Sequence, residues 1–213
     1  MRLIVNIVRP FSAAVALCAA SALYAGITPA VLDQQNLGTT NAGGAVANDQ
    51  TQAQTLTVGT TGLLSHVNVN IFKRNNTVED ITLSVRSTSG GEPDALLTAV
   101  SLPASAIGTV DTLATFDVSA ANLSFNAGDV IAIELASLAN NVFPFDERYD
   151  WRRYNTDPYA GGQRFTNGVA YSDFDFAFQT FVIPAPLTGD LDGNGFVGID
   201  DLNIVLSNWN QNV

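Results

Sequence analysis

The residues best suited to chemistry lie near the C-terminus, in the run Gly189-Asp-Leu-Asp-Gly-Asn-Gly-Phe-Val-Gly-Ile-Asp-Asp201. With Asp190 as the first position of a loop, side-chain oxygens fall at the first, third and fifth positions: Asp190, Asp192 and Asn194. Asp201 adds a carboxylate at the twelfth. Phe196, at the seventh, offers its backbone carbonyl, and Gly198, at the ninth, leaves room for a water. Gly195 stands where such a loop must turn sharply through a backbone angle that other residues resist. Oxygens alternating in this way converge on one centre and suit a hard cation with six or more ligands, which points to Ca2+.

Behind the loop the periodicity changes. Leu202, Val205, Leu206 and Trp209 recur at i, i+3, i+4 and i+7, one stripe of a short helix. Loop spacing plus helix is the arrangement of an EF-hand, and with Asp at the last ligand position it resembles the type I dockerin repeat. That resemblance implies calcium binding by Asp190, Asp192, Asn194, Phe196 and Asp201. It also implies docking, through the Leu202/Val205/Leu206/Trp209 face, onto a cohesin-like or other cell-surface protein. Two features depart from the family pattern: one repeat is seen in 190–213 where dockerins normally carry two, and Ile199 and Asp200 replace the small hydroxyl residues common at those positions. So small a unit does not stabilise itself readily. Its apolar stripe is therefore expected to lie against the rest of the chain, a second copy or a docking protein.

A second candidate is the segment 143–162, FPFDERYDWRRYNTDPYAGG, which gathers Tyr149, Trp151, Arg152, Tyr154, Asp157 and Tyr159. As a long loop at one end of the domain it could bind a polysaccharide, aromatic faces stacking on sugar rings while Asp and Arg bond hydroxyls. Alternatively, the same aromatics cover an open edge of the core. Little else supports catalysis. His66 is the single histidine and alternates with Val67, so it is expected to face solvent without partners to tune it. Triads and His-based zinc sites lack their parts. Paired carboxylates, such as Asp173 and Asp175 or the acids of 143–162, are the one remaining enzymatic route. No catalytic residue is assigned, and the chain is expected not to be an enzyme.

The elements that must position these residues read as short strands. Leu56 and Val58; Val67, Val69 and Ile71; Ile81, Leu83 and Val85; Ala114, Phe116 and Val118; and Ile131, Ile133 and Leu135 all alternate with other residues. Phe174, Phe176 and Phe178 are expected on one face of a last strand, with Asp173 and Asp175 on its wet face. Turn signals such as Gly90-Gly-Glu-Pro93 and Asn126-Ala-Gly128 separate the runs. The predicted fold is mainly β: an antiparallel, jelly-roll-like β-sandwich over 51–183, after a polar leader or edge strand at 26–50. A Pro-containing linker, 184–189, joins it to the calcium loop and helix of 190–213. Gln54-Thr-Leu-Thr-Val58, Asn126-Ala-Gly-Asp-Val130, Asp157-Pro-Tyr-Ala-Gly-Gly162 and Phe176-Ala-Phe-Gln-Thr-Phe181 together resemble β-sandwich domains of secreted bacterial proteins with interchangeable C-terminal sorting or anchoring signals. This resemblance implies location and fold rather than a reaction.

At the other terminus, Arg2 and Arg9, the apolar run from Phe11 to Ala20, and small residues up to Ala25 have the parts of a secretory signal peptide over 1–25, cleaved between Ala22 and Ala25. The apolar run is shorter than the ~20 residues that cross a bilayer, so no membrane span is expected in the mature chain. Both sulfur-bearing residues, Met1 and Cys18, fall in this leader, so a disulfide framework in the mature chain is ruled out. The net charge of −11 over 213 residues argues against nucleic acid as a partner. A secreted or cell-surface bacterial protein is the expectation.

Overall fold

The computed structural model describes residues 29–37, 42–154, 159–172 and 174–209. The expected signal peptide lies outside these residues, as do Asp157 and Asp173. Strands β1 (Val31–Asn36), β2 (Ala42–Val46), β3 (Gln52–Thr57) and the long β4 (Gly62–Lys73) come first. Next come β5 (Ile81–Ser89), β6 (Glu92–Leu102), β7 (Thr112–Asp117), the two-residue β8 (Ser124–Phe125) and β9 (Val130–Ser137). β10 (Tyr149–Arg153), β11 (Arg164–Thr166), β12 (Val169–Tyr171) and β13 (Phe178–Pro184) complete the strands, and helix α1 (Ile199–Asn208) ends the described chain.

The strands form two antiparallel sheets, as the alternation predicts. One runs β1-β13-β4-β10-β2, with β7 and β8 also paired to β4; the other runs β12-β11-β3-β9-β5-β6. Between them lie the residues that the period of two assigns to the interior. Val67, Val69 and Ile71 of β4 meet Ile81, Leu83 and Val85 of β5 and Ile131, Ile133 and Leu135 of β9 in one core. Burying one face of each strand is what holds two such sheets together. β4 contains a bulge that resets its alternation. Phe181 of β13 pairs with His66 but Val182 with Leu64, so Ser65 is skipped and both Leu64 and Val67 point inward. β5 and β6 are joined by Gly90 and Gly91, with φ of 62° and 86°. A two-residue hairpin whose central residues both need positive φ is glycine's place. β6 forms the outer edge of its sheet.

Three expectations are revised. The polar segment 26–50, expected as a leader or one edge strand, supplies two strands of the first sheet, β1 beside β13 and β2 beside β10, so the sheet begins at Val31 and not at residue 51. The segment 143–162 is not one long loop, because β10 crosses it and pairs with both β2 and β4. The last strand starts at Phe178, and Asp175 before it is not on a wet face but fully buried.

β10 carries the largest side chains of the core. Trp151 is 0% exposed and stacks on Phe176 with ring centroids 4.3 Å apart, while its Nε1–H donates to the Ala177 carbonyl at 2.9 Å. Gly44 faces Trp151 across the strand pair, and any Cβ there would come within 2.7 Å of the Phe176 ring. Trp151→Ala is expected to cost about 3–5 kcal/mol, as large-to-small core changes do. Urea unfolding of the full chain followed by circular dichroism measures this; a loss under about 1 kcal/mol, the size of a surface change, would contradict the packing.

Candidate metal centre

Asp190, Asp192 and Asp201 each bring a carboxylate oxygen within 4.8 Å of those of the other two. Local hydrogen bonds explain how a short acidic segment gathers like charges. Asp190 accepts from the N–H groups of Gly193, Asn194 and Gly195 at 2.8, 3.1 and 2.8 Å. Asp192 accepts from the Asn194 N–H at 3.0 Å and from its side-chain amide at 2.8 Å. The Asn194 carbonyl oxygen in turn takes the Phe196 N–H at 2.8 Å. These Asx-type turns wind the loop around its own carboxylates. Gly193 and Gly195, at φ of 73° and 84°, let it close.

Asp201 ties the loop to the helix. It is the third residue of α1, and its Oδ2 accepts the Gly198 N–H at 2.6 Å, closing the helix N-terminus as the acidic half of a capping box. Oδ1 takes the Leu191 N–H at 2.6 Å and the Asp192 N–H at 3.3 Å, from the beginning of the loop. The Gly198 N–H, helped by those of Leu191 and Asp192, holds this carboxyl below the usual carboxylate range against the opposing effect of burial. Asp201 is therefore kept anionic beside Asp190 and Asp192.

Three carboxylates around one point, with Asn194 in the same loop, form a cluster that could hold a metal ion. Its donors are all oxygen, and each carboxylate keeps lone pairs beyond those used by the N–H groups. Three residues of the predicted stripe, Leu202, Val205 and Leu206, lie in α1, and Trp209 follows its last residue with an extended backbone. Leu202, Val205, Leu206 and Trp209 are 38–74% exposed, so the described sandwich does not cover them.

The other set of predicted ligand residues does not share a face. Tyr149 and Trp151 are interior residues of β10 and cannot stack on a sugar ring. Tyr149 donates its hydroxyl to the Glu79 carbonyl at 2.5 Å. Arg152 points the other way, pairing with Asp111 at 2.6 Å over the ring of Phe72. Half-buried Tyr154 gives its N–H to the Asp175 carbonyl, and Tyr159 donates its hydroxyl to Gln34 at 3.0 Å and packs edge-on against Phe178. His66 is half-buried and stacked on Phe181 at 4.3 Å, where burial lowers its pKa, with Asp117 pulling the other way.

Sequence reasoning missed a polar interior at the β3 side of the sandwich. Gln52 and Gln54 are buried opposite Leu135 and Ile133. Gln54 donates to Asp175 at 2.9 Å and accepts the Phe176 N–H at 3.0 Å; the other Asp175 oxygen takes the Tyr159 N–H at 2.9 Å. The signal was the parity of β3, since Gln52 and Gln54 share the period of buried Leu56. No protein-family model matches this chain, and no curated protein matches it either.

Asp201→Ala should strip hydrogen-exchange protection from the amides of Leu191 and Gly198 while the β4 amides keep theirs, as read by NMR; unchanged protection at Gly198 would refute the tie. The Tyr149 phenol is pushed up to about 12, first by burial and then by the charges of Asp80 and Glu79. An unfolded tyrosine ionises near pH 10, so this group's contribution is complete below pH 10 and disappears as pH rises through 12. That is worth about 2–3 kcal/mol. Unfolding measured from pH 8 to 12 should show a shallower alkaline fall for Tyr149→Phe than for the parent.

Proposed function

We propose that this is a secreted, non-catalytic β-sandwich protein whose dockerin-like tail binds Ca2+ and mediates attachment or assembly at a bacterial cell surface. The observation that carries the reading is the convergence of Asp190, Asp192 and Asp201 at the N-terminus of a helix with an exposed apolar stripe. Side-chain oxygens of those three and of Asn194, with the Phe196 carbonyl, would hold the ion. An oxygen-only set on a loop of Asx turns and glycines suits the larger, geometrically tolerant Ca2+ better than Mg2+, which demands a near-octahedral shell and keeps its waters.

In this reading the ion's task is structural. The carboxylates of the loop repel one another, and a divalent cation removes that repulsion while fixing the angle between loop and helix. A fixed α1 presents Leu202, Val205 and Leu206, with Trp209 just beyond its end, as the docking surface for a cohesin-like or other cell-surface protein. The linker after β13 separates that event from the sandwich. Among the described residues no helix is long and apolar enough to cross a membrane, so attachment through the tail is the route proposed.

Isothermal calorimetry of the full chain is expected to show one calcium site, with magnesium weaker, and Asp190→Ala to weaken calcium by about tenfold or more. The same substitution should leave the sandwich's melting transition in place. Absence of a calcium heat, or an Asp190→Ala variant that titrates like the parent, would overturn the reading.

A further inference from the structure

A cleft of about 630 Å³ opens at one end of the sandwich, where the β2–β3 connection, the segment before β5 and the end of β9 meet. It is the end away from the tail. β13 hands over to the tail beside Gly62, the first residue of β4, whereas the chain reaches the cleft after Lys73, the last. Ala47, Val78, Ala136 and Leu138 line the cleft with aliphatic carbon, and Glu79 and Asp80 add two carboxylates. Among the described residues that line it there is no Lys, Arg or His.

The fold uses the backbone of this segment and leaves its side chains over. The Glu79 carbonyl accepts the Tyr149 hydroxyl, and the Asp80 carbonyl accepts the Ser137 hydroxyl at 2.7 Å. Those two bonds hold the segment against β10 and β9. Neither carboxylate takes part in a hydrogen bond or an ion pair among the described residues. Val78 and Leu138 are each 79% exposed, so the core does not use them either. Two unpaired acids side by side repel one another, and in a chain of net charge −11 nothing nearby in the cleft offsets them. A cleft lined by one sign of charge concentrates counter-ions. Its volume lies within the range of small-molecule sites, about 300–1,000 Å³, and far exceeds that of a bare metal ion. The aliphatic walls favour a cation with an apolar body. An ammonium group brings three N–H donors for the carboxylates, and a carbon stem behind it would cover Val78 and Leu138.

We infer that this cleft binds an organic ammonium ion: a primary amine held by Glu79 and Asp80, on an unbranched aliphatic stem that lies against Val78 and Leu138. A free polyamine and a lysine side chain share this chemistry. The inference does not depend on the calcium loop, which lies on a different part of the chain.

NMR titration of the full chain at low ionic strength tests it, with ethyl-, propyl-, butyl- and pentylammonium, 1-pentanol, cadaverine and Nα-acetyl-lysine methylamide as probes. Pentylammonium should shift the amides of residues 78–82 and 136–138. Each methylene drawn from water is worth about fourfold, so affinity should rise about tenfold or more from ethyl- to pentylammonium. 1-Pentanol, which lacks the charge, should bind about tenfold or more weaker than pentylammonium. The tighter binder of cadaverine and the lysine amide identifies the source of the ammonium group. The double variant Glu79→Gln/Asp80→Asn keeps both main-chain acceptors and should weaken pentylammonium about tenfold or more. Leu138→Ala, at an exposed position, should reduce the gain along the series. Melting temperatures show that both variants are folded. No binding of pentylammonium, shifts confined to the calcium loop, equal binding of 1-pentanol, an affinity independent of chain length, or full affinity in either folded variant would each overturn the assignment.

Discussion

Asp175 has no exposure to solvent, and a carboxylate in that position is tolerable only if its oxygens are taken up by donors. The donors come from separate parts of the chain. Gln54 belongs to β3 in one sheet, the Tyr159 N–H to the segment between β10 and β11, and the Asp175 backbone carbonyl receives Tyr154 just beyond β10. One buried carboxyl group therefore ties the entry to β13 to both sheets. Phe176, the next residue, is placed by the same bonds under Trp151, and Gly44 must stay without a side chain to admit that pair. The polar side of the interior and the aromatic centre of the core are thus consequences of a single hydrogen-bonding requirement.

The tail works by a different economy. Its loop buries almost nothing, and its order arises from side-chain oxygens satisfying neighbouring N–H groups, with Asp201 joining loop to helix. The sandwich depends on apolar area and the tail on local electrostatics. The two regions should consequently respond to different solution conditions, the first to denaturant and the second to divalent ions and salt.

Much of this was legible in the sequence, and the failures have physical causes. β4 and β5 alternate aliphatic with polar residues, and β9 sets Ile131, Ile133 and Leu135 against Ala132 and Glu134, so their inward faces could be named directly, as could the spacing of Asp190, Asp192, Asn194 and Asp201. β10 was hidden because its inward residues, Tyr149 and Trp151, carry polar atoms and its outward ones, Asp150 and Arg152, are charged; the segment resembled a binding loop while obeying a strand's period of two. β1 and β2 were obscure because edge strands need little apolar patterning when a single neighbour supplies their hydrogen bonds. Asp175 misled because alternation with phenylalanines implies a wet face, whereas the chain here is not yet a regular strand.

The outer strand β6 carries a further consequence. Glu92, Pro93 and Asp94 guard its beginning, and register shifts between Val85 and Thr88 of its partner disturb the ladder beside Leu96 and Leu97. From Ala95 to Leu102 there is no charged residue, and Leu96 and Leu97 are exposed. An edge of this kind is a template for pairing with another chain. Much of what keeps two molecules from meeting there is the long-range repulsion of the acidic protein as a whole, not a local gatekeeper. Colloidal stability is then a collective property of charges distant from the edge, and concentrated electrolyte, by shortening the range of that repulsion, would weaken it.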